Sequence, residues 1–213
     1  MLLGGADTAP AIIEWAMAEV LRNPLVMKKL QDELKHVVGL DRMVNESDLP
    51  RLVYLQAVVK ETLRLYPQGV FLLCHLTAKP CNVLGYEIPQ NTRVLVNVWA
   101  IVRDPKSWED TGSFKPERFM EGIVSEIDAN GDQNFVWLPL GAGRRKCPRQ
   151  QLGTLVAEFG FAQLLHCFNW RVPLDGPNQE IDMMERFNGI TLPRAQELFA
   201  IPTPHLECIA SLK

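Results

Sequence analysis

The run Phe135-Val136-Trp137-Leu138-Pro139-Leu140-Gly141-Ala142-Gly143-Arg144-Arg145-Lys146-Cys147-Pro148-Arg149-Gln150-Gln151-Leu152-Gly153 carries more information than any other part of the chain. It sets one cysteine, Cys147, at the end of a glycine-hinged loop. Arg144, Arg145 and Lys146 come just before the cysteine, and a helical pattern opens just after it. Nearby cations and the free N–H groups of a helix start both favour thiolate over thiol. Gly141 and Gly143 permit backbone conformations, or a close approach to a flat ligand, that a side chain would block. Together these residues suit a thiolate facing a metal cofactor that carries acidic groups. The same residues also fit a buried, inert cysteine beside a solvated basic face.

The segment resembles the haem-binding loop of the cytochrome P-450 family, whose pattern reads Phe-x-x-Gly-x-Arg-x-Cys-x-Gly. Gly143, Arg145 and Cys147 match it; Leu140 stands in place of the Phe and Arg149 in place of the final Gly. The wording Pro-Leu-Gly-Ala-Gly-Arg-Arg-Lys-Cys-Pro resembles plant members most closely. The resemblance implies that Cys147 is the axial ligand of haem b (iron protoporphyrin IX), with Gly143 in the loop and Arg145 pairing a haem propionate. A Gly at position 149 would let the following helix approach the ring, whereas Arg is bulky and restricts the backbone, so Arg149→Gly in the full-length parent is expected to raise haem occupancy.

Composition sets the outer bounds. The chain has 213 residues, 47% hydrophobic and 22% charged, enough for a sizeable core. A net charge of −3 argues against a general nucleic-acid binder. The five cysteines, Cys74, Cys81, Cys147, Cys167 and Cys208, are odd in number and contain no Cys-x-x-Cys pair. That argues against a disulfide framework or zinc site and suits a reducing compartment. The apolar stretches are too short, or too broken by charge, for a membrane span or signal peptide.

Local patterning predicts a mainly α fold with a small β component. Residues 1–22 read as a helix. Asn23-Pro24 reads as the cap and first residue of a second, with Met27, Leu30, Leu34 and Val37 on one face up to Gly39. A third runs from about Arg51 to Tyr66, with Leu55, Val58, Val59 and Leu63 on one side, and Pro67 stops it. Residues 70–76, 83–86 and 92–98 read as strands by their branched and aromatic content. Residues 104–146 are irregular, a helix follows Cys147 to about Phe168, and 170–172, 190–191 and 198–201 read as short strands.

Other constellations acquire meaning from their order. Glu61-x-x-Arg64 puts opposite charges on one helical face, a spacing that alone means little. It precedes Pro116-Glu117-Arg118-Phe119 and then the cysteine loop, the order found in the family. The resemblance therefore implies a buried structural network of Glu61, Arg64 and Arg118 behind the loop. The similar pair Glu19 and Arg22 reads as a solvated helix face. Gly4-Gly5-Ala6-Asp7-Thr8 resembles the family's oxygen-activation motif: Gly4 and Gly5 leave space for dioxygen and substrate, and Asp7 and Thr8 supply groups for proton delivery. Pro10 lacks an N–H, so the carbonyl of Ala6 loses its usual helical partner. Taken alone, this stretch also reads as a helix start capped by Asp7 or Thr8. His75 lies where plant relatives place a propionate-contacting cation. Val70, Phe71, Leu72 and Leu73, with Gly189, Ile190 and Thr191, match substrate-lining regions and suggest an apolar substrate.

The resemblance spans essentially the whole chain but only the C-terminal part of such a protein, and Met1 falls inside what should be a long central helix. The expectation is a C-terminal fragment, residues 1–213 forming part of one domain. For the parent it implies a haem-thiolate monooxygenase that inserts one atom of O2 into an apolar small molecule. Electrons would come from NADPH-cytochrome P-450 reductase, steered by Arg144, Lys146 and Arg149. The expected location is the cytosolic face of the endoplasmic reticulum membrane, through an N-terminal anchor outside this chain. Asp7-Thr8 favours monooxygenation over the isomerase and dehydratase members. The competing expectation is a haem-free, non-catalytic fragment.

Overall fold

A computed structural model describes residues 7–120, 135–173, 180–186 and 191–206. Five helices carry the architecture: α1 Thr8–Arg22, α2 Pro24–Val38, α3 Val53–Leu65, the short α4 Val98–Ile101, and α5 Gln150–Cys167. Helix α1 is central. Ala9, Ile12, Trp15, Ala16, Met17, Ala18, Glu19 and Val20 are buried, so the helix is covered on nearly all sides, mainly by α5 and α3. Helix α2 is amphipathic in the expected way, burying Val26, Leu30, Leu34 and Val38 at four-residue spacing. The shared core also takes Leu55, Val58, Val59 and Leu63 of α3 and Ala157, Phe161, Ala162 and Leu165 of α5. Each large side chain so buried contributes about 1.5–3 kcal/mol.

Asn23 does not cap α2. Its Nδ2 turns back to donate to Glu19 O at 2.8 Å, finishing α1 instead. Helix α3 is capped in trans, Glu33 of α2 accepting from Tyr54 N at 2.7 Å and Leu55 N at 2.9 Å.

Among the described residues the β component is three two-stranded antiparallel sheets. β1 His75–Leu76 pairs with β4 Arg93–Val94, β2 Cys81–Val83 with β3 Tyr86–Ile88, and β5 Phe168–Arg171 with β6 Ile201–Pro204; only β2–β3 is a hairpin. The strands are shorter than expected: 70–74 turns, with Leu72 at φ 51°, and 98–101 becomes α4, started by Asn97 Oδ1 accepting from Ala100 N at 3.0 Å. The final strands begin at 168 and 201, and Ile190 lies outside the described residues. Two 3-10 turns, Glu46–Arg51 and Pro116–Phe119, fall in stretches expected to be irregular.

Candidate cofactor site

The cysteine loop is built by its own backbone. Gly141 at φ +78° lets its N–H reach Leu138 O at 3.1 Å. Gly143 at φ +68° opens a tight 3-10 turn to Arg145, closed by Lys146 N donating to Gly143 O at 3.2 Å. Both angles favour glycine. Cys147 N then donates back to Leu140 O at 2.9 Å, and Cys147 O accepts from Gln150 N at 3.2 Å at the start of α5. The loop thus presents a partly exposed Cys147 beside exposed Gly143, Arg144, Arg145 and Arg149.

Behind the loop lies a buried charge cluster. Glu61 and Arg64 are fully buried, and their side chains form a two-pronged pair: Arg64 Nε to Glu61 Oε2 at 2.7 Å and Nη2 to Oε1 at 2.9 Å. Glu61 Oε1 also accepts from Lys115 N at 2.8 Å and from Arg118 Nε at 3.1 Å. The remaining Arg64 donors go to the carbonyls of Val102, Thr111 and Ser113 at 3.0, 2.8 and 3.2 Å. The desolvated charges are therefore matched both by each other and by backbone.

Trp108 couples this cluster to the loop. Arg64 and Arg118 lie 5.2 and 5.9 Å from its ring centroid, and its Nε1 donates to Val136 O at 3.2 Å. Phe119 packs at 5.8 Å from both Trp108 and Trp137. Neither tryptophan stood out in the sequence, because their partners, Arg64, Arg118 and Phe119, are distant in the chain or reach them only through the fold. The 3-10 turn of Pro116–Phe119 is what brings Arg118 and Phe119 onto the cluster.

The other expected site residues are placed as follows. Asp7 is exposed at the start of α1 and makes no side-chain cap bond, and Thr8 is partly buried as the first helical residue. Leu72 packs against the core and touches the loop: a Cβ on Gly141 would sit 3.7 Å from Leu72 Cδ1. Val70 is partly buried, its carbonyl accepting from Val98 N at 2.9 Å, while Phe71 is exposed. His75 is exposed in β1 opposite Val94. Gly4, Gly5 and Ile190, with Ala6 and Gly189, lie outside the described residues.

Two readings are corrected. Glu19 is not on a solvated face: it is 3% exposed, accepts from Tyr66 Oη at 2.6 Å, and burial raises its pKa. Arg149 does not restrict the backbone, because its φ of −111° is ordinary for any residue; only its bulk separates it from glycine.

The donor set fits a macrocyclic metal cofactor. Among the described residues no three His, Cys, Asp or Glu side chains cluster to hold a bare ion. A single sulfur donor suits a metal whose other ligands come from a macrocycle. The space beside it at Gly143 is open, since a Cβ there would meet no atom within 4 Å.

A mainly helical fold with a cysteine loop braced by a Glu–Arg–Arg cluster is that of the cytochrome P-450 proteins. The cytochrome P-450 family model matches residues 1–198, and the chain belongs to that family. It is 45% identical over 208 residues to cytochrome P-450 84A1 of Arabidopsis thaliana, covering 98% of this chain and 39% of that one. It is 45% identical over 206 residues to the 3,9-dihydroxypterocarpan 6A-monooxygenase of Glycine max, covering 97% and 40%. Among solved structures, a zebra fish cytochrome P-450 with abiraterone superposes with a TM-score of 0.83 at 32% identity, covering 95% of this chain and 46% of that one. The chain spans about 40% of the length of these curated relatives.

Proposed function

We propose that this chain is the thiolate-bearing C-terminal part of a single-domain haem monooxygenase acting on an apolar small molecule. The observation that carries the reading is Cys147, half-exposed on a loop fixed by the Leu140 carbonyl and braced through Trp108. Bound haem supplies the reductive activation of dioxygen and the transfer of one oxygen atom to substrate. The residues of the chain do the rest.

Cys147 would hold the iron as thiolate, and the rigid loop would keep its sulfur at a fixed place. Arg145, exposed beside it, would pair a propionate, with His75 as a second propionate contact. Thr8 Oγ1 and the Asp7 carboxylate would relay protons from solvent; Asp7's exposure gives it access to bulk water. Val70, Phe71, Leu72 and Ile190, with Gly4 and Gly5, would form the wall that orients the substrate and excludes water. The cations Arg144, Lys146 and Arg149 would receive NADPH-cytochrome P-450 reductase. Two relatives are named for oxidation of 3,9-dihydroxypterocarpan and for 5-hydroxylation of xanthotoxin, which supports oxygen insertion as the reaction class. The endoplasmic reticulum membrane is the proposed location of the whole protein; among the described residues no helix is long and apolar enough to cross a membrane.

The test is the reduced, carbon-monoxide difference spectrum of the chain expressed with excess haem, beside Cys147→Ser. A strongly red-shifted Soret band present in the parent and lost in the variant supports thiolate ligation. A band at the ordinary position, or no haem at all, makes the chain a non-catalytic fragment.

A further inference from the structure

The turn that follows the predicted substrate wall is tied to α1 by three side chains absent from the proposed machinery. Trp15 is fully buried and its Nε1 donates to Leu192 O at 2.8 Å. Glu14, the preceding residue, accepts from Leu198 N at 3.2 Å and lies 3.7 Å from Arg194 Nε. Arg194 is itself buried, its side chain 2% exposed. Its guanidinium donates to Asp182 O at 2.8 Å and to Gln196 O at 3.3 Å, and lies 5.5 Å from the Trp15 ring centroid. Around it the chain closes on itself, Arg186 N donating to Pro193 O at 2.9 Å and Ala195 N to Met184 O at 2.8 Å.

Closing such a turn does not require a charge. Burying a guanidinium is costly, and an apolar side chain of similar volume stabilises a fold as well or better. What the charged arrangement adds is a fixed position: two hydrogen bonds, to Leu192 and Leu198, and one ion pair, to Arg194, cross from one turn of α1. Trp15 stands seven residues beyond Thr8 on the same rigid helix, about 10 Å along its axis.

We propose that Trp15, Glu14 and Arg194 are positioning residues that lock Thr191 and Leu192 to α1, so that substrate seated on this turn is held in register with Asp7 and Thr8. The inference rests on the haem monooxygenase reading above. A loosened turn would leave the iron site intact and blur only the placement of an apolar group held against the wall.

Two readouts on the same variants test it. Trp15→Phe keeps an aromatic ring against Tyr66 and removes the bond to Leu192; Arg194→Gln removes the charge, and Arg194→Lys restores it. The first readout is hydrogen exchange, which needs no cofactor. The second is optical titration of the haem-loaded chain with imidazole and with 1-phenylimidazole, which share the iron-binding nitrogen and differ in the apolar tail. Trp15→Phe and Arg194→Gln are expected to speed exchange at the 191–198 amides about fivefold to tenfold, while α3 and α5 are unchanged. Both should weaken 1-phenylimidazole by a similar factor and leave imidazole unchanged, and Arg194→Lys should show a smaller loss than Arg194→Gln. Unchanged exchange overturns the proposal. So does faster exchange with an unchanged ratio of the two affinities, which would make the tether merely structural, and so does equal weakening of both ligands. Failure to take up haem appears as a missing Soret band and sinks the parent reading together with this one.

Discussion

Arg64 is the residue on which the most structure depends. It is fully buried, and it makes five hydrogen bonds in one plane: two to Glu61 and one each to the carbonyls of Val102, Thr111 and Ser113. Arg64→Ala leaves the buried Glu61 carboxylate with only Lys115 N and Arg118 Nε and takes a donor from each of those carbonyls, and is expected to cost about 3–5 kcal/mol in urea denaturation. Arg64→Lys keeps the charge but not the fork, so it should recover less than half of that loss. Sequence made the Glu61–Arg64 pair visible only through its order relative to the cysteine loop, since the spacing alone also selected Glu19 and Arg22. The spacing could not rank them, because the partner that buries Glu19, Tyr66, lies 47 residues away. At position 149 the backbone gives glycine no advantage, so a gain in haem occupancy in Arg149→Gly, measured as haem per chain, would come from lost bulk alone.

Elements were legible where a single periodicity governs burial. Helices α2, α3 and α5 fall within a few residues of their apolar patterns because each presents a stripe to one core, whereas the helix expected over 1–22 is described only from Thr8 and is covered on nearly all sides. The strands were less legible. In the apolar stretch Val70 to Leu73 only Leu72 packs on the core, Phe71 and Leu73 are exposed, and Leu72 at φ 51° cannot lie in a strand. The 3-10 turn at 46–51 did carry a signal, Asn45 and Asp48 forming a reciprocal capping box.

The α1–α5 crossing depends on Gly160. A Cβ there would come 2.9 Å from Ile13 Cδ1, the far end of a flexible side chain. Gly160→Ala should be close to neutral, about 1 kcal/mol of helix propensity offsetting the shift of Ile13. Gly160→Val should lower stability by about 1–3 kcal/mol, read as a lower Tm.

Glu158 on α5 lines a cleft with Leu49, Pro50 and Leu155, and burial pushes its pKa up to about 7, with Lys60 opposing. Between its ordinary value of 4.5 and about 7, the unfolded chain has released a proton that the folded chain still holds. Its contribution is therefore complete below pH 4.5 and is lost as pH rises toward 7. Glu158→Gln should flatten the stability–pH curve across that window in denaturant titrations, and an unaltered curve would refute the assignment.

At the scale of the molecule, cofactor and fold are linked. Haem that bound only the folded chain would stabilise it by mass action, by about 2.7 kcal/mol at a hundredfold excess over Kd, and so raise Tm. Calorimetry with added haem should show that rise in the parent, and Cys147→Ser should lose most of it while keeping the Tm of the haem-free chain. The thiol sits on a surface loop, so its oxygen analogue leaves the core untouched.

The bracing of the loop through Trp108 also has a temporal side. Glu61, Arg64, Trp108 and Arg118 all precede Phe135, and the bond from Trp108 reaches forward 28 residues to Val136. During synthesis, which runs from the N-terminus, the charged frame leaves the ribosome before the cysteine does. The segment bearing Cys147 thus emerges after the charged residues that brace it and ahead of α5, so the order of synthesis matches the order in which the loop's supports are needed.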